Sequence, residues 1–226
     1  MLILGIDTSG HTASAAVCDE NRVLAQSSVM TKLTHSQIIL PMAKRVLSDA
    51  GLTLDDIGAV SAAKGPGSYT GLRIGLAAVK GISFANGCKC AGISTLEALA
   101  YNFLGMNCNV CAVMAARQNL VYNALFVVSG RQVTRLCDDR IISVEELSAE
   151  LASDDKIYYG AGDYADEMSA AAPEKVFPAP PQLKYPLASS LCFAAFDRGF
   201  TPADKLAPDY LQITKAEKDL REKENK

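Results

Sequence analysis

Asp7 closes a short apolar run and is followed at once by the small residues Thr8, Ser9 and Gly10. A carboxylate so placed can be one of the one or two that Mg²⁺-bound phosphates commonly use. It can also cap the turn that follows, as Asp side chains do. Both readings stand on the sequence, and Asp7, Thr8 and Ser9 are candidate residual nucleotide contacts. Further along, Gly65-Pro66-Gly67-Ser68 precedes a helical stretch, and helix N-termini favour anions. The full pattern G-x-x-x-x-G-K-[ST] is not there. Counted back from Gly71, its first glycine falls on Pro66, and Leu72 stands where lysine is needed. A glycine turn that lets a strand and a helix pack closely is the other reading. Ser68, Tyr69 and Thr70 have no neighbouring base to activate a hydroxyl, so no residue is read as catalytic.

Metal chemistry has little to work with. The two histidines, His11 and His35, are not spaced as a helical i, i+4 ligand pair. His35 reads instead as a residue at the start of a helix, with Gln37 in its first turn. The seven cysteines are an odd number, which argues against a disulfide framework. Cys88, Cys90, Cys108 and Cys111 could form a four-thiolate zinc site, but free cysteine is more often a small buried apolar residue. Cys108 and Cys111 lie in a strand-like run, where side chains three apart point to opposite faces.

The elements that must position these residues follow from pattern. Apolar or alternating runs at 2–7, 12–19 and 22–30, with a turn at Asp19-Glu20-Asn21, predict a three-strand meander. Helical periodicity follows at 36–50, a buried strand at 59–63, a helix at 70–86 stopped by Gly87, a strand at 88–93 and a helix at 96–103. The order then repeats with shorter elements: strands at 109–116, 120–129 and 132–136, a capping-box helix at 143–152, a strand at 156–159, a helix at 165–172, a strand at 175–177 and a helix at 188–198. Two tandem βββαβαβα units with mixed sheets are the signature of the α/β ASKHA architecture shared by actin, sugar kinases and heat-shock chaperone ATPases. The expected division is an N-terminal lobe at 1–105, a C-terminal lobe at 106–214 and a charged tail at 215–226 that frays. ATPases of this fold clamp Mg²⁺-phosphate with an Asp from each lobe. Here the counterpart of Asp7 falls in Ala115-Ala116-Arg117, which carries no carboxylate.

A formal net charge of −3 argues against strong stand-alone RNA binding, which needs clustered Lys and Arg. A local basic patch is compatible with it. No apolar run reaches the ~18 residues of a membrane span, and no basic stretch precedes the first apolar run as in a secretory signal. A cytoplasmic protein is expected.

The strings Leu4-Gly5-Ile6-Asp7-Thr8-Ser9, His35-Ser36-Gln37 with Leu40-Pro41, Gly65-Pro66-Gly67-Ser68-Tyr69-Thr70-Gly71-Leu72-Arg73-Ile74-Gly75, Gly92-Ile93-Ser94-Thr95-Leu96 and Pro208-Asp209-Tyr210-Leu211 together resemble the bacterial TsaB (YeaZ) family. The resemblance covers nearly the whole chain and is dense in residues 1–100. It implies a subunit of the machinery that makes N6-threonylcarbamoyladenosine beside the anticodon of ANN-decoding tRNAs. It also implies a catalytic partner of the same fold, TsaD, which bears the metal, and a P-loop ATPase, TsaE. ATP and metal are then expected only in those partners, and tRNA contact is indirect. TsaB-like sequences usually carry Asp-Ala-Arg where this chain has Ala115-Ala116-Arg117, a departure even from the family. The related name "glycoprotease" is historical, and nothing in this chain supports proteolysis.

The first two helices carry more apolar residues than one packed face requires: Ile38, Ile39, Met42 and Val46 on the first, and Leu72, Ile74, Leu76, Val79 and Ile82, with the small Gly71, Gly75 and Ala78, on the second. Surplus apolar surface on neighbouring helices suggests a protein interface, with Gly71 and Gly75 admitting a partner helix closely. The alternative is that other elements of the chain cover them. The resemblance favours the interface, since TsaB-like proteins meet TsaD through these helices. Two other functions stay open: a small ATPase or kinase of the same fold, resting on Asp7 and the Gly65–Gly67 and Gly160–Gly162 turns, and a homodimer formed in isolation through the same helices.

Overall fold

The computed structural model describes residues 1–31 and 33–212; the charged tail at 215–226 lies outside the described residues. The first half of the chain runs β1 (Ile3–Asp7), β2 (Thr12–Cys18), β3 (Val23–Met30), α1 (His35–Asp49), β4 (Ala59–Gly65), α2 (Tyr69–Asn86), β5 (Lys89–Ser94) and α3 (Thr95–Tyr101). Its five strands form one sheet in the order β3-β2-β1-β4-β5. β1 and β2 pair antiparallel, as do β2 and β3, while β4 and β5 run parallel to β1.

The ends of the helices follow local chemistry. At the start of α1 the Thr34 N–H donates to Gln37 Oε1 at 3.2 Å, supplying one of the partners a helix N-terminus lacks. At α2 the Ser68 hydroxyl accepts from the Gly71 N–H at 3.2 Å, and Gly87 ends the helix in the left-handed region, φ 66°, where glycine pays no Cβ penalty.

The second half runs β6 (Asn107–Ala115), β7 (Leu120–Ser129), β8 (Gln132–Arg135), β9 (Arg140–Ser143), α4 (Val144–Ser153), β10 (Tyr158–Ala161), α5 (Ala165–Ala171), β11 (Val176–Pro178) and α6 (Ala188–Arg198). The sheet order is β11-β10-β6-β7-β8, with β9 beside β7. The predicted topology recurs, with one addition. β9 is a fourth strand before the helix, pairing Arg140 to Ser143 antiparallel with Leu120 to Asn123. It is only four residues long and half-buried. It is also held by a side chain, since the Arg140 guanidinium donates to Asn123 Oδ1 at 3.0 and 3.1 Å. Periodicity over so short a run carries no signal. Ser143 then starts α4 through the expected capping box, its hydroxyl donating to Glu146 Oε2 at 2.9 Å while the Glu146 N–H donates back at 3.2 Å.

The 105/106 boundary separates the strands of the two sheets but not the helices. α6 comes from the second half and lies on β1 and β2 of the first sheet, while α3 comes from the first half and lies on β6 and β7. The alternation of β1 shows the consequence: Leu4 and Ile6 face α1 and α2, whereas Ile3 faces the α6 side with Leu191 and Cys192. Both faces of the strand are covered, and all five of its residues are buried. α3 and α6 pack on each other. One apolar cluster therefore runs without a break from Ile3 and Ile93, through Leu96, Leu99 and Leu191, to Val110 and Phe126 of the second sheet. At its edge the Tyr101 hydroxyl donates to Asp197 Oδ2 at 2.6 Å and Arg198 Nε donates to Glu97 Oε1 at 2.7 Å.

Candidate functional site

A cavity of about 430 Å³ opens between the lobes, beyond the C-terminal ends of β1 and β6. Its walls are the Ser9–His11 turn, the Gly67–Tyr69 turn that leads into α2, the end of β6 at Met114–Arg117, Asp163 after β10, and the late segment Asp209–Gln212. This is the position where open α/β sheets take ligands. The two lobes match here. β1 pairs antiparallel with β2 and parallel with β4, and β6 does the same with β7 and β10. Asp7 and Ala115 are the last residues of the two matching strands.

Asp7 is fully buried. Its Oδ1 accepts the Ser9 N–H at 2.9 Å and the Ser9 hydroxyl at 2.8 Å, the turn-capping geometry expected of an Asp at this place. Its Oδ2 has no partner among the described residues. Burial raises the Asp7 pKa, against the Ser9 hydrogen bonds and the nearby His35, which lower it. Thr8 is committed elsewhere: its hydroxyl donates to the Gly71 carbonyl at 2.7 Å. Of the three candidate nucleotide contacts, only Ser9 lines the cavity. The histidines do not meet. His35 Nδ1 lies 3.3 Å from the Thr8 carbonyl oxygen, and His11 Nε2 lies 3.9 Å from Asp163 Oδ2.

Asp163 and Asp209 are cavity residues to which the sequence reading gave no role in the site. Asp163 Oδ1 accepts the Ala115 N–H at 2.8 Å, so a carboxylate from the β10 loop stands against the strand end that lacks one. Burial raises its pKa, opposed by that hydrogen bond and by His11. A signal for it was present, because Gly160-Ala161-Gly162-Asp163 is a strand end, small turn and acid on the strand that pairs with β6. Asp209 stood in the sequence only as part of the family string Pro208-Asp209-Tyr210-Leu211, and its place in the cleft depends on a fold-back of the chain from far away.

The surplus apolar residues divide sharply. Ile39, Met42, Val46, Leu72, Leu76 and Val79 are buried within the chain, and so are Gly71 and Gly75. They are not surface, and this corrects the reading of all twelve as interface residues. The two glycines face this chain rather than a partner. A Cβ at Gly71 would overlap the Thr8 carbonyl oxygen, and one at Gly75 would come within 2.5 Å of Thr8 Oγ1. The close approach they permit is that of α2 onto the end of β1. Ile38, Ile74, Ala78 and Ile82 are half-buried, and Leu40 and Phe84 are 51% and 70% exposed. Between α1, α2 and the 3₁₀ turn Leu54–Asp56 lies an open groove of about 560 Å³, its apolar lining including Leu40, Leu47, Leu52, Leu54 and Ile82.

The four cysteines weighed as zinc ligands do not converge. Cys90 belongs to the core between the first sheet and α1–α2, and Cys111 to the core beneath α4 and α5. Cys108 packs on the opposite face of β6 from Cys111, as strand alternation requires. No group of three or more His, Cys, Asp or Glu side chains fit to hold a metal occurs among the described residues. No helix among them is long and apolar enough to cross a membrane.

The same fold and sequence pattern recur in known proteins. A family model described as TsaD, tRNA N6-adenosine threonylcarbamoyltransferase, matches residues 28–198. The tRNA threonylcarbamoyladenosine biosynthesis protein TsaB of Bacillus subtilis is 27% identical over 221 residues, covering 96% of each chain. The solved structure of YeaZ from Pseudomonas aeruginosa superposes with a TM-score of 0.79 at 25% identity, covering 93% of this chain and 99% of that one. A ROK hexokinase from Thermus thermophilus shares the fold, with a TM-score of 0.53 at 13% identity over 88% of this chain and 100% of the other. An ASKHA fold of two mixed-sheet lobes, the glycine string at the head of α2 and full-length similarity to both relatives agree: this chain belongs to the TsaB (YeaZ) family, which acts in tRNA threonylcarbamoyladenosine biosynthesis.

Proposed function

We propose that this chain is a non-catalytic partner subunit in the formation of N6-threonylcarbamoyladenosine in ANN-decoding tRNAs, binding a TsaD-like catalytic subunit and working with a TsaE-like ATPase. The observation that carries this reading is the end of β6. Where the lobe symmetry calls for a second carboxylate opposite Asp7, the chain has Ala115, and a clamp on Mg²⁺-phosphate commonly uses one or two carboxylates. The apolar groove between α1 and α2, with the exposed Leu40 in its wall, is the surface offered to the catalytic subunit. ATP and metal belong to the partner subunits in this reading. In isolation the same groove supports a homodimer.

The test is reconstitution. The purified chain alone neither hydrolyses ATP nor modifies tRNA, and adding it to its own organism's TsaD-like and TsaE-like proteins raises modification. Equal modification with and without the chain overturns the reading.

One observation favours a second reading, a small ATPase or kinase. Asp163 returns a carboxylate to the cleft, 2.8 Å from the Ala115 amide. Calorimetric titration with Mg-ATP, read together with phosphate release by the chain alone, separates the two: tight binding and turnover, both lost in Asp7→Ala and in Asp163→Ala, would favour the enzyme.

A further inference from the structure

After α6 the chain does not leave the molecule. Thr201 bridges Cys90 at the edge of the first sheet, and Leu206 is buried in that lobe's core. The chain then turns into the interlobe cleft. The Asp209 N–H donates to the Lys64 carbonyl at 2.7 Å, and Lys64 Nζ lies 3.6 Å from Asp209 Oδ2. Tyr210 stacks on Tyr69 with ring centroids 4.6 Å apart. The Arg73 side chain sits across both rings: its Nε donates to the Tyr210 hydroxyl at 2.9 Å, a second nitrogen donates to the Tyr69 hydroxyl, and its guanidinium carbon lies 4.0 Å from the Tyr69 ring centre. On the other wall, the Tyr122 hydroxyl meets Gln212 Oε1 at 3.3 Å. The segment thus touches β4 and α2 of one lobe and β7 of the other.

The cleft is shaped to take it. Gly65 adopts φ 127°, a conformation open to glycine, and a Cβ there would overlap the Asp209 carbonyl oxygen. The glycine of the Gly65-Pro66-Gly67 turn therefore serves the approach of the chain's own backbone.

We infer that the segment Leu206–Gln212 is an intramolecular occupant of the interlobe cleft, held by the Tyr69–Arg73–Tyr210 clasp, and that it narrows the cleft to the cavity of about 430 Å³ and so weakens the binding of nucleoside phosphates there. A tethered occupant competes at an effective concentration on the order of millimolar, so it weakens the apparent affinity of a free nucleotide for the same space. This goes beyond the subunit role and does not depend on it: a partner subunit is free to bind at the α1–α2 groove whether or not the segment stays in the cleft.

Two full-length variants release the segment from different contacts. Tyr210→Ala removes the stack and the Arg73 bond, and Asp209→Pro removes the N–H donated to Lys64. Hydrogen exchange reads the amide of residue 210 and the neighbouring segment in both, and calorimetry reads the affinity for Mg-ADP. The expected result is faster exchange across 210–212 and at least tenfold tighter Mg-ADP binding than in the parent. Unchanged exchange in both variants shows that the clasp does not hold the segment. Faster exchange with Mg-ADP binding no tighter than in the parent shows that the segment does not hold nucleoside phosphates off. Either result overturns the inference.

Discussion

The Thr8 hydroxyl donates to the carbonyl of Gly71 at 2.7 Å, across 63 positions of sequence. It fixes the turn after β1 against the first turn of α2, and it requires that the helix present no Cβ at Gly71 or Gly75. The conspicuous Gly71-x-x-x-Gly75 spacing is thus a packing device internal to one lobe.

Gly75→Ala is expected to destabilise the chain by about 1–3 kcal/mol, the usual cost of overpacking, because the added Cβ meets Thr8 Oγ1 at 2.5 Å. Gly81→Ala on the same helix meets nothing within 4 Å and is expected to stabilise by up to about 1 kcal/mol through helix propensity. Thermal melts of the two variants should move in opposite directions, by roughly 2–4 °C per kcal/mol.

Two carboxylates should give the stability curve opposite slopes in acid. Burial raises the pKa of Asp7, so its contribution favours the fold below the ordinary Asp value of about 3.9 and is lost as pH rises through its folded value. Asp7→Asn should therefore melt higher than the parent at pH 7 and lose that advantage below about pH 4. Asp154 is lowered to about 2, chiefly by the Tyr158 hydroxyl and then by Lys156. Its contribution is present above about pH 3.9 and is lost as pH falls through 2. Asp154→Asn should be less stable than the parent at pH 7 and flatten the acid limb of a urea-midpoint series.

Thiol labelling should separate the seven cysteines by burial. Cys18, Cys90, Cys111 and Cys192 are buried, while Cys88, Cys108 and Cys137 are half-buried. Native protein should label at no more than the latter three, and slowly at Cys88 and Cys108, whose thiols burial pushes up. Unfolded protein should label at all seven. Fast native labelling of Cys111, pushed up to about 12 by burial, would contradict the packing of the second lobe.

Charge placed on α1 and α2 should have two distinct outcomes. Leu40→Arg lies on the exposed wall of the groove. It should leave stability within about 0.5 kcal/mol, as surface changes do, while lowering co-purification with a TsaD-like subunit at least tenfold. Leu76→Arg, at a position 3% exposed, buries an unpaired charge and should unfold the lobe, so it cannot serve as a test of association. Light scattering and melts on both variants separate the effects.

Much of the fold was legible because it is locally encoded. Strand alternation, helical periodicity, the Ser143–Glu146 capping box and the stop at Gly87 act within a few residues, so the elements, their order and their tandem recurrence could be read in one pass. β9 escaped because four half-buried residues carry no period.

The sequence by itself determined that the chain repeats a βββαβαβα order, that Ala115 stands where a second carboxylate would, and that two helices carry excess apolar residues. Only the tertiary structure decided which of those residues face inward, that α3 and α6 each cover the other half's sheet, that Gly71 and Gly75 receive Thr8, and that Asp163 and Asp209 enter the cleft. The reason is range. A residue's type and its neighbours set its element, but which face is covered depends on chain 60 to 190 positions away, and no local pattern reports what will arrive there.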